Sequence, residues 1–239
     1  MLIAEQIKEK LNSIPDGIVL TLKDFKVEPQ HEGALVKFLS RFVAKGELEK
    51  LSKGRYYKPR KTIFGTLKPA SSEIAKDFLE KDGKMIGYIT GTAAFATMGL
   101  TTQITSSIMI GSNKYRRPLK RGEYTISFLL QPNEINEQTI HLLRILDAIR
   151  LIREIPAVTP NECTIRIGQL IKNLPKLEQQ KLCELAIPYT PYVRALLGAI
   201  MEMNDINTYN LKASLSGVTT YKLPISDDTL STKQNWNIV

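Results

Sequence analysis

Apolar residues recur at helical spacing from the start of the chain. Leu2, Ile3, Ile7 and Leu11 in LIAEQIKEKLNSI share one face and predict a first helix, which Asn12, Pro15, Asp16 and Gly17 then stop. The following IVLTL predicts a short strand, and LKDFKVE a short second helix before Pro29 opens a third. In that third helix Leu35, Phe38, Leu39, Phe42 and Val43 fall on one side at about 100° per residue and should pack onto the first two. The other side carries Gln30, Ala34, Lys37 and Arg41 in one strip, with Gly33 and Ser40 beside it, while His31 leans toward the packed side. Gly46 suits a helix end, and ELEKLSKGRYYKPR then predicts two strands joined at Ser52-Lys53-Gly54. This order of elements is the plan of a winged helix-turn-helix over residues 1–61.

Residues 62–239 change character and predict a central α/β region followed by a helical one. SSEIAKDFLEK predicts a helix, MIGYITG a buried strand, GTAAFATMGLTTQI a small-residue helix ending at Gly99, and SSIMIGS and YTISFLL two further strands. From Asn136 the period becomes helical, with Leu142, Ile145, Leu146, Ile149 and Ile152 on one face until Pro156. TIRIGQLIKNL, KLEQQKLCELA and TPYVRALLGAIMEM predict three more helices bordered by Pro160, Pro175, Pro188 and Pro191, before an irregular tail. The fold class expected is therefore α+β.

Charge sharpens the functional reading. Between Lys37 and Lys61 stand nine basic residues against Glu47 and Glu49, a net +7 within a chain whose formal charge is +9. Such clustering points to a surface that faces phosphates. Lys53, Arg55, Lys58, Arg60 and Lys61 would neutralise phosphates and release counterions, which adds affinity without sequence information, and Lys45 is a further DNA-binding candidate. Gln30, Lys37, Ser40 and Arg41 would reach base edges, where Arg pairs with guanine and Gln with adenine. Strand alternation places one of Tyr56 and Tyr57 inward and leaves the other for a phosphate. Lys114, Arg116, Arg117, Lys120 and Arg121, five basic residues within eight positions, form a candidate second contact, or else a solvated loop. The same basic groove would suit an RNA-binding or RNA-protecting module, and a basic face also suits a protein-interaction adaptor. Both alternatives stay open.

Enzyme motifs are missing. There is no phosphate-binding loop with its Lys-Ser/Thr, no serine nucleophile elbow and no HExxH. Gly111-Ser112 is followed by NKYRRPLKRGE, without the acidic pair that metal-dependent nucleotidyl transfer needs, and reads as a strand-end turn. His141 reads as a partly buried histidine, and Glu134, Glu137 and Asp147 as helix-surface carboxylates. Cys163 and Cys183 are too far from each other and from His31 and His141 to form a zinc set, and read as small apolar residues on helices. No metal and no cofactor are expected. The longest weakly polar stretch, Met85 to Leu100, is shorter than the roughly 20 residues of a membrane span. The charged amphipathic start differs from a signal peptide, so a cytoplasmic protein without membrane contact is expected.

Several segments carry a resemblance: GTAAFATMGLTTQI, the YRR of Tyr115 to Arg117, LLRILDAIRLIREIP, YTPYVRALLGAIME and the closing NWNIV. Together the chain resembles the AbiEi family of antitoxins, although SLSGVTTYKLPI departs from the Asn-Pro-containing version in relatives. The resemblance implies a type IV toxin–antitoxin antitoxin: a winged helix that binds double-stranded operator DNA and represses its own operon, joined to a region that counters a nucleotidyltransferase-like toxin. Stable toxin binding is not required in such systems.

Overall fold

A computed structural model of the chain describes residues 3–63 and 65–239, the side chains of Ile3, Ala4 and Gln6 excepted. Leu2 and the Ile3 side chain of the first apolar stripe thus lie outside the described residues. The chain is a mixed α+β protein that separates into two compact units. One runs to Asp77 and includes Leu119–Thr125; the other comprises Phe78–Pro118 and Ile126–Val239.

The first unit begins with α1 (Ile3–Ser13) and β1 (Val19–Thr21). The segment expected as a second helix forms only a 3-10 turn, Leu22–Phe25. Asp24 braces its start by accepting from the Thr21 N–H (2.6 Å) and hydroxyl (2.8 Å), and Lys26, in the left-handed region at φ 49°, ends it. A second 3-10 turn, Pro29–His31, leads into α2 (Glu32–Ala44). β2 (Glu49–Ser52) and β3 (Arg55–Tyr57) form a hairpin that turns at Lys53-Gly54, where Gly54 takes φ 70° at no steric cost. The antiparallel sheet has the order β1-β3-β2, with Leu20 opposite Tyr56 and Tyr56 opposite Lys50. Ile7 and Leu11 of α1, Leu35 and Leu39 of α2, Leu20, Leu48 and Tyr56 make the core. A small hairpin, β4 (Arg60–Thr62) and β5 (Gly65–Leu67), follows.

The alternation expected for the two tyrosines fails because this sheet is covered on both faces. Tyr56 enters the helical core, while Tyr57, also buried, shares a small cavity with Leu51, Pro69, Gly122 and Tyr124. Gly122 approaches so closely that a Cβ there would sit 2.9 Å from the Leu51 carbonyl oxygen. The Tyr57 hydroxyl donates to Glu49, and burial, then that carboxylate, push the phenol's pKa well above its ordinary value. Tyr57 is therefore closed to a phosphate.

The helix expected over SSEIAKDFLEK is broken into α3 (Ser71–Ile74) and α4 (Lys76–Leu79) at Ala75. The Ile74 carbonyl, which a continuous helix would use internally, accepts instead from Arg121 Nη1 at 2.6 Å.

In the second unit β6 (Glu80–Lys81) and β7 (Lys84–Met85) form a minimal hairpin. β8 (Gly87–Thr90) and β9 (Ser107–Ser112) then pair antiparallel, with Tyr88 opposite Gly111. The glycine is required there: a Cβ would lie 2.4 Å from the Tyr88 ring. β10 (Leu119–Arg121) belongs to the first unit and β11 (Tyr124–Leu130) runs from the first into the second; the sheet order is β10-β11-β9-β8. Between β8 and β9 lies the short small-residue helix α5 (Thr92–Thr97), and Gly99 follows its end at φ 71°.

Four helices finish the unit: α6 (Ile140–Arg150), α7 (Pro160–Lys172), α8 (Lys176–Ala186) and α9 (Pro191–Met203). Pro160 and Pro191 open α7 and α9, where a missing N–H costs nothing. Thr159 and Glu162 cap α7 reciprocally, at 3.2 Å and 2.8 Å. α9 packs on α6, α7 and α8, and its middle is buried from Val193 to Met201 except at Arg194. The tail is irregular but firmly placed. Trp236 lies on Gly198 of α9, and a parallel bridge joins Tyr221 to Ile238. Cys163 and Cys183 are free and buried, burial raising their thiols to about 11 and about 12.

Candidate nucleic-acid interface

α2 places the expected strip as its periodicity requires. Leu35 and Leu39 are fully buried, Phe38, Phe42 and Val43 pack around them, and Gln30, Ala34, Lys37, Ser40 and Arg41 are exposed. Two of these side chains are already engaged locally. Gln30 Nε2 donates to Glu28 Oε2 at 2.6 Å, and the Ser40 hydroxyl donates to the Val36 carbonyl at 2.8 Å, which leaves its oxygen as an acceptor. Lys37 and Arg41 make no ion pair among the described residues. At the end of the helix the Lys45 ammonium lies 5.9 Å from the Phe42 ring centre.

The basic residues beyond α2 divide into exposed and engaged ones. Lys53 is exposed at the hairpin turn, and Arg60 and Lys61 on β4. Lys45 meets Lys58 and Lys61 at a cleft of about 350 Å³ that also includes Asp16 and Glu47. Arg55 and Lys58 correct the expectation of free phosphate contacts. Arg55 pairs with Asp77 at 2.8 Å, and Lys58 with Asp16 at 3.2 Å, each only half-exposed. A phosphate at either would compete with an existing partner.

The second basic cluster is divided between the two units. Lys120 and Arg121 belong to the first unit; Lys114, Arg116 and Arg117 belong to the second. Arg121 is buried, with its two terminal nitrogens 2.5 and 2.7 Å from the Asp77 carboxylate, so it cannot serve as a backbone contact. Burial pushes the Asp77 pKa up, but Arg121 and Arg55 outweigh it and hold the carboxyl below its ordinary value. Arg116 is half-buried with its guanidinium 5.3 Å from the centre of the Phe78 ring, which meets Phe128 edge-on. Lys114, Arg117 and Lys120 are exposed.

Asp147 overturns a second expectation. It is fully buried, not on a helix surface, and accepts from Tyr88 (2.6 Å), Thr90 (2.8 Å) and Tyr189 (3.1 Å); Gln131 donates to both phenols at 2.7 Å. Its only sequence signal is a carboxylate within an all-round apolar run, because its partners come from distant segments. His141 is exposed rather than partly buried, with Nε2 3.0 Å from Glu178; Glu134 and Glu137 are exposed. No group of three or more His, Cys, Asp or Glu is placed to share a metal ion among the described residues. Nor, among them, is any helix long and apolar enough to cross a membrane.

Residues 6–182 match the model of a family of unknown function, DUF6088. The chain belongs to the DUF6088 family. The DUF6088 match stops within α8, so α9 and the tail lie beyond it. The RV2827C protein from Mycobacterium tuberculosis, known as a crystal structure, aligns with this DUF6088 protein at a TM-score of 0.51. That alignment covers 93% of this chain and 85% of the other at 13% identity, which shows a common fold. No curated protein matches the chain.

Proposed function

We propose that this protein is a DNA-binding antitoxin of the type IV toxin–antitoxin class that represses its own operon. Residues 1–61 act as a winged helix, with α2 as the recognition helix and the β2–β3 hairpin as the wing. The observation that carries the reading is the division of α2: Leu35 and Leu39 fully buried on one side, Lys37 and Arg41 exposed and without an ion-pair partner among the described residues on the other. Element order and the β1-β3-β2 sheet support it. Arg41, Lys37, Gln30 and Ser40 address base edges in a major groove, and Lys45, Lys53, Arg60 and Lys61 address phosphates. The resemblance to AbiEi antitoxins supports the remaining part, in which the second unit counters a nucleotidyltransferase-like toxin.

Fluorescence anisotropy of DNA from upstream of its own gene, against scrambled duplex and tRNA, tests this. The upstream duplex is expected to bind tightest. The double variant Lys37→Ala/Arg41→Ala should lose about 1–3 kcal/mol per base contact removed and, with it, the preference. Four phosphate contacts imply a slope of log K against log salt of about −4. Equal weak binding to every duplex would reject the repressor, and preference for tRNA would favour an RNA-binding role.

A further inference from the structure

We propose that the second unit carries a separate binding site for a phosphate-bearing small molecule of nucleotide size, built from Arg150, Arg153, Lys222, Tyr192 and Tyr221. These residues line a cavity of about 420 Å³ where the end of α6 and the start of α9 meet the segment from Thr220 to Leu223. The volume lies in the range of ligand sites, roughly 300–1,000 Å³, and exceeds what a lone phosphate fills. Three of the four charged residues lining it are cationic, Glu154 being the exception.

The wall is rigid and its donors are set. Tyr221 N–H donates to the Asn237 carbonyl at 2.7 Å, and Val239 and Leu223 continue this pairing at 2.9 Å each, so the backbone beside the cavity is fixed. Arg153 is anchored through one terminal nitrogen, which donates to the Lys222 carbonyl. A guanidinium has five N–H groups, so most remain for a ligand. Arg150 is anchored likewise, Nη1 donating to the Leu130 carbonyl at 2.9 Å. The end of a helix ordinarily repels anions through its exposed carbonyls. Here the Tyr192 hydroxyl donates to the Arg150 carbonyl at 2.7 Å and satisfies that acceptor.

Ile152 and Leu223 add apolar side chains to the lining, which accommodate a less polar moiety of the ligand.

Isothermal titration of the full chain with ADP, with inorganic pyrophosphate and with adenosine tests the site. ADP and pyrophosphate should bind saturably below about 1 mM, and adenosine should not. Arg153→Gln/Lys222→Gln, both exposed and safe for folding, should weaken ADP at least about tenfold. Lys37→Ala/Arg41→Ala on the first unit should leave ADP binding unchanged, which separates this site from the nucleic-acid reading. Absence of saturable binding by either phosphate compound overturns the proposal. So does ADP affinity that survives the Arg153/Lys222 variant, or that is lost with Lys37 and Arg41.

Discussion

Asp147 accepts three hydroxyl hydrogen bonds inside a helix that is otherwise apolar on every buried side, and its titration runs against the usual carboxylate pattern. Burial raises its pKa, and the hydrogen bonds from Tyr88, Thr90 and Tyr189 offset only part of the rise. The folded protein therefore binds this proton more tightly than the unfolded chain does. The contribution of Asp147 is most favourable below the ordinary Asp value of about 3.9 and is lost as pH rises toward the folded value. Asp147→Asn abolishes that dependence. In urea unfolding across a pH series, the wild type should lose stability relative to the variant as pH rises from about 4. A difference independent of pH, or of opposite slope, would refute this.

At the scale of elements, α2 and α9 each contain a helical glycine, with opposite consequences. Gly198 of α9 faces the Trp236 ring, 2.2 Å from where a Cβ would stand, whereas Gly33 of α2 has nothing within 4 Å. Glycine to alanine within a helix is ordinarily favourable by about 1 kcal/mol. Thermal melting should show Gly33→Ala neutral to stabilising, and Gly198→Ala destabilising by about 1–3 kcal/mol through overpacking. Equal effects would contradict the placement of the tail on α9. The contrast also marks what could be read in advance. α2 was legible because its burial follows its own period, and bordering prolines announced α7 and α9. The shortened turn at Leu22–Phe25 was not, since it depends on a backbone state at Lys26 that a lysine seldom adopts. Tyr57, the break at Ala75, Arg121 and Asp147 were hidden for a common reason. Each is decided by a partner dozens of residues away, and local pattern carries no record of such contacts. Among the interface residues, Lys37, Arg41 and Lys53 are exposed as expected, while Arg55 and Lys58 are diverted into ion pairs that charge counting cannot foresee.

At the scale of the whole molecule, the first unit is discontinuous: Leu119–Thr125 belong to it although the intervening chain builds the second. A fragment ending at Asp77 would lose Arg121 from its carboxylate and Gly122 and Tyr124 from beside Tyr57. Such a fragment should resist proteolysis less than the same residues in the full chain, and limited proteolysis followed by mass spectrometry would reveal it. Equal resistance would make residues 119–125 dispensable. The arrangement also sets a timetable for synthesis. A ribosome adds Asp77 44 residues before it adds Arg121. At about 5–20 residues per second, the carboxylate waits roughly 2–9 s for its guanidinium. The amino-terminal unit therefore emerges first and is finished late, once the strand that returns to it has been translated.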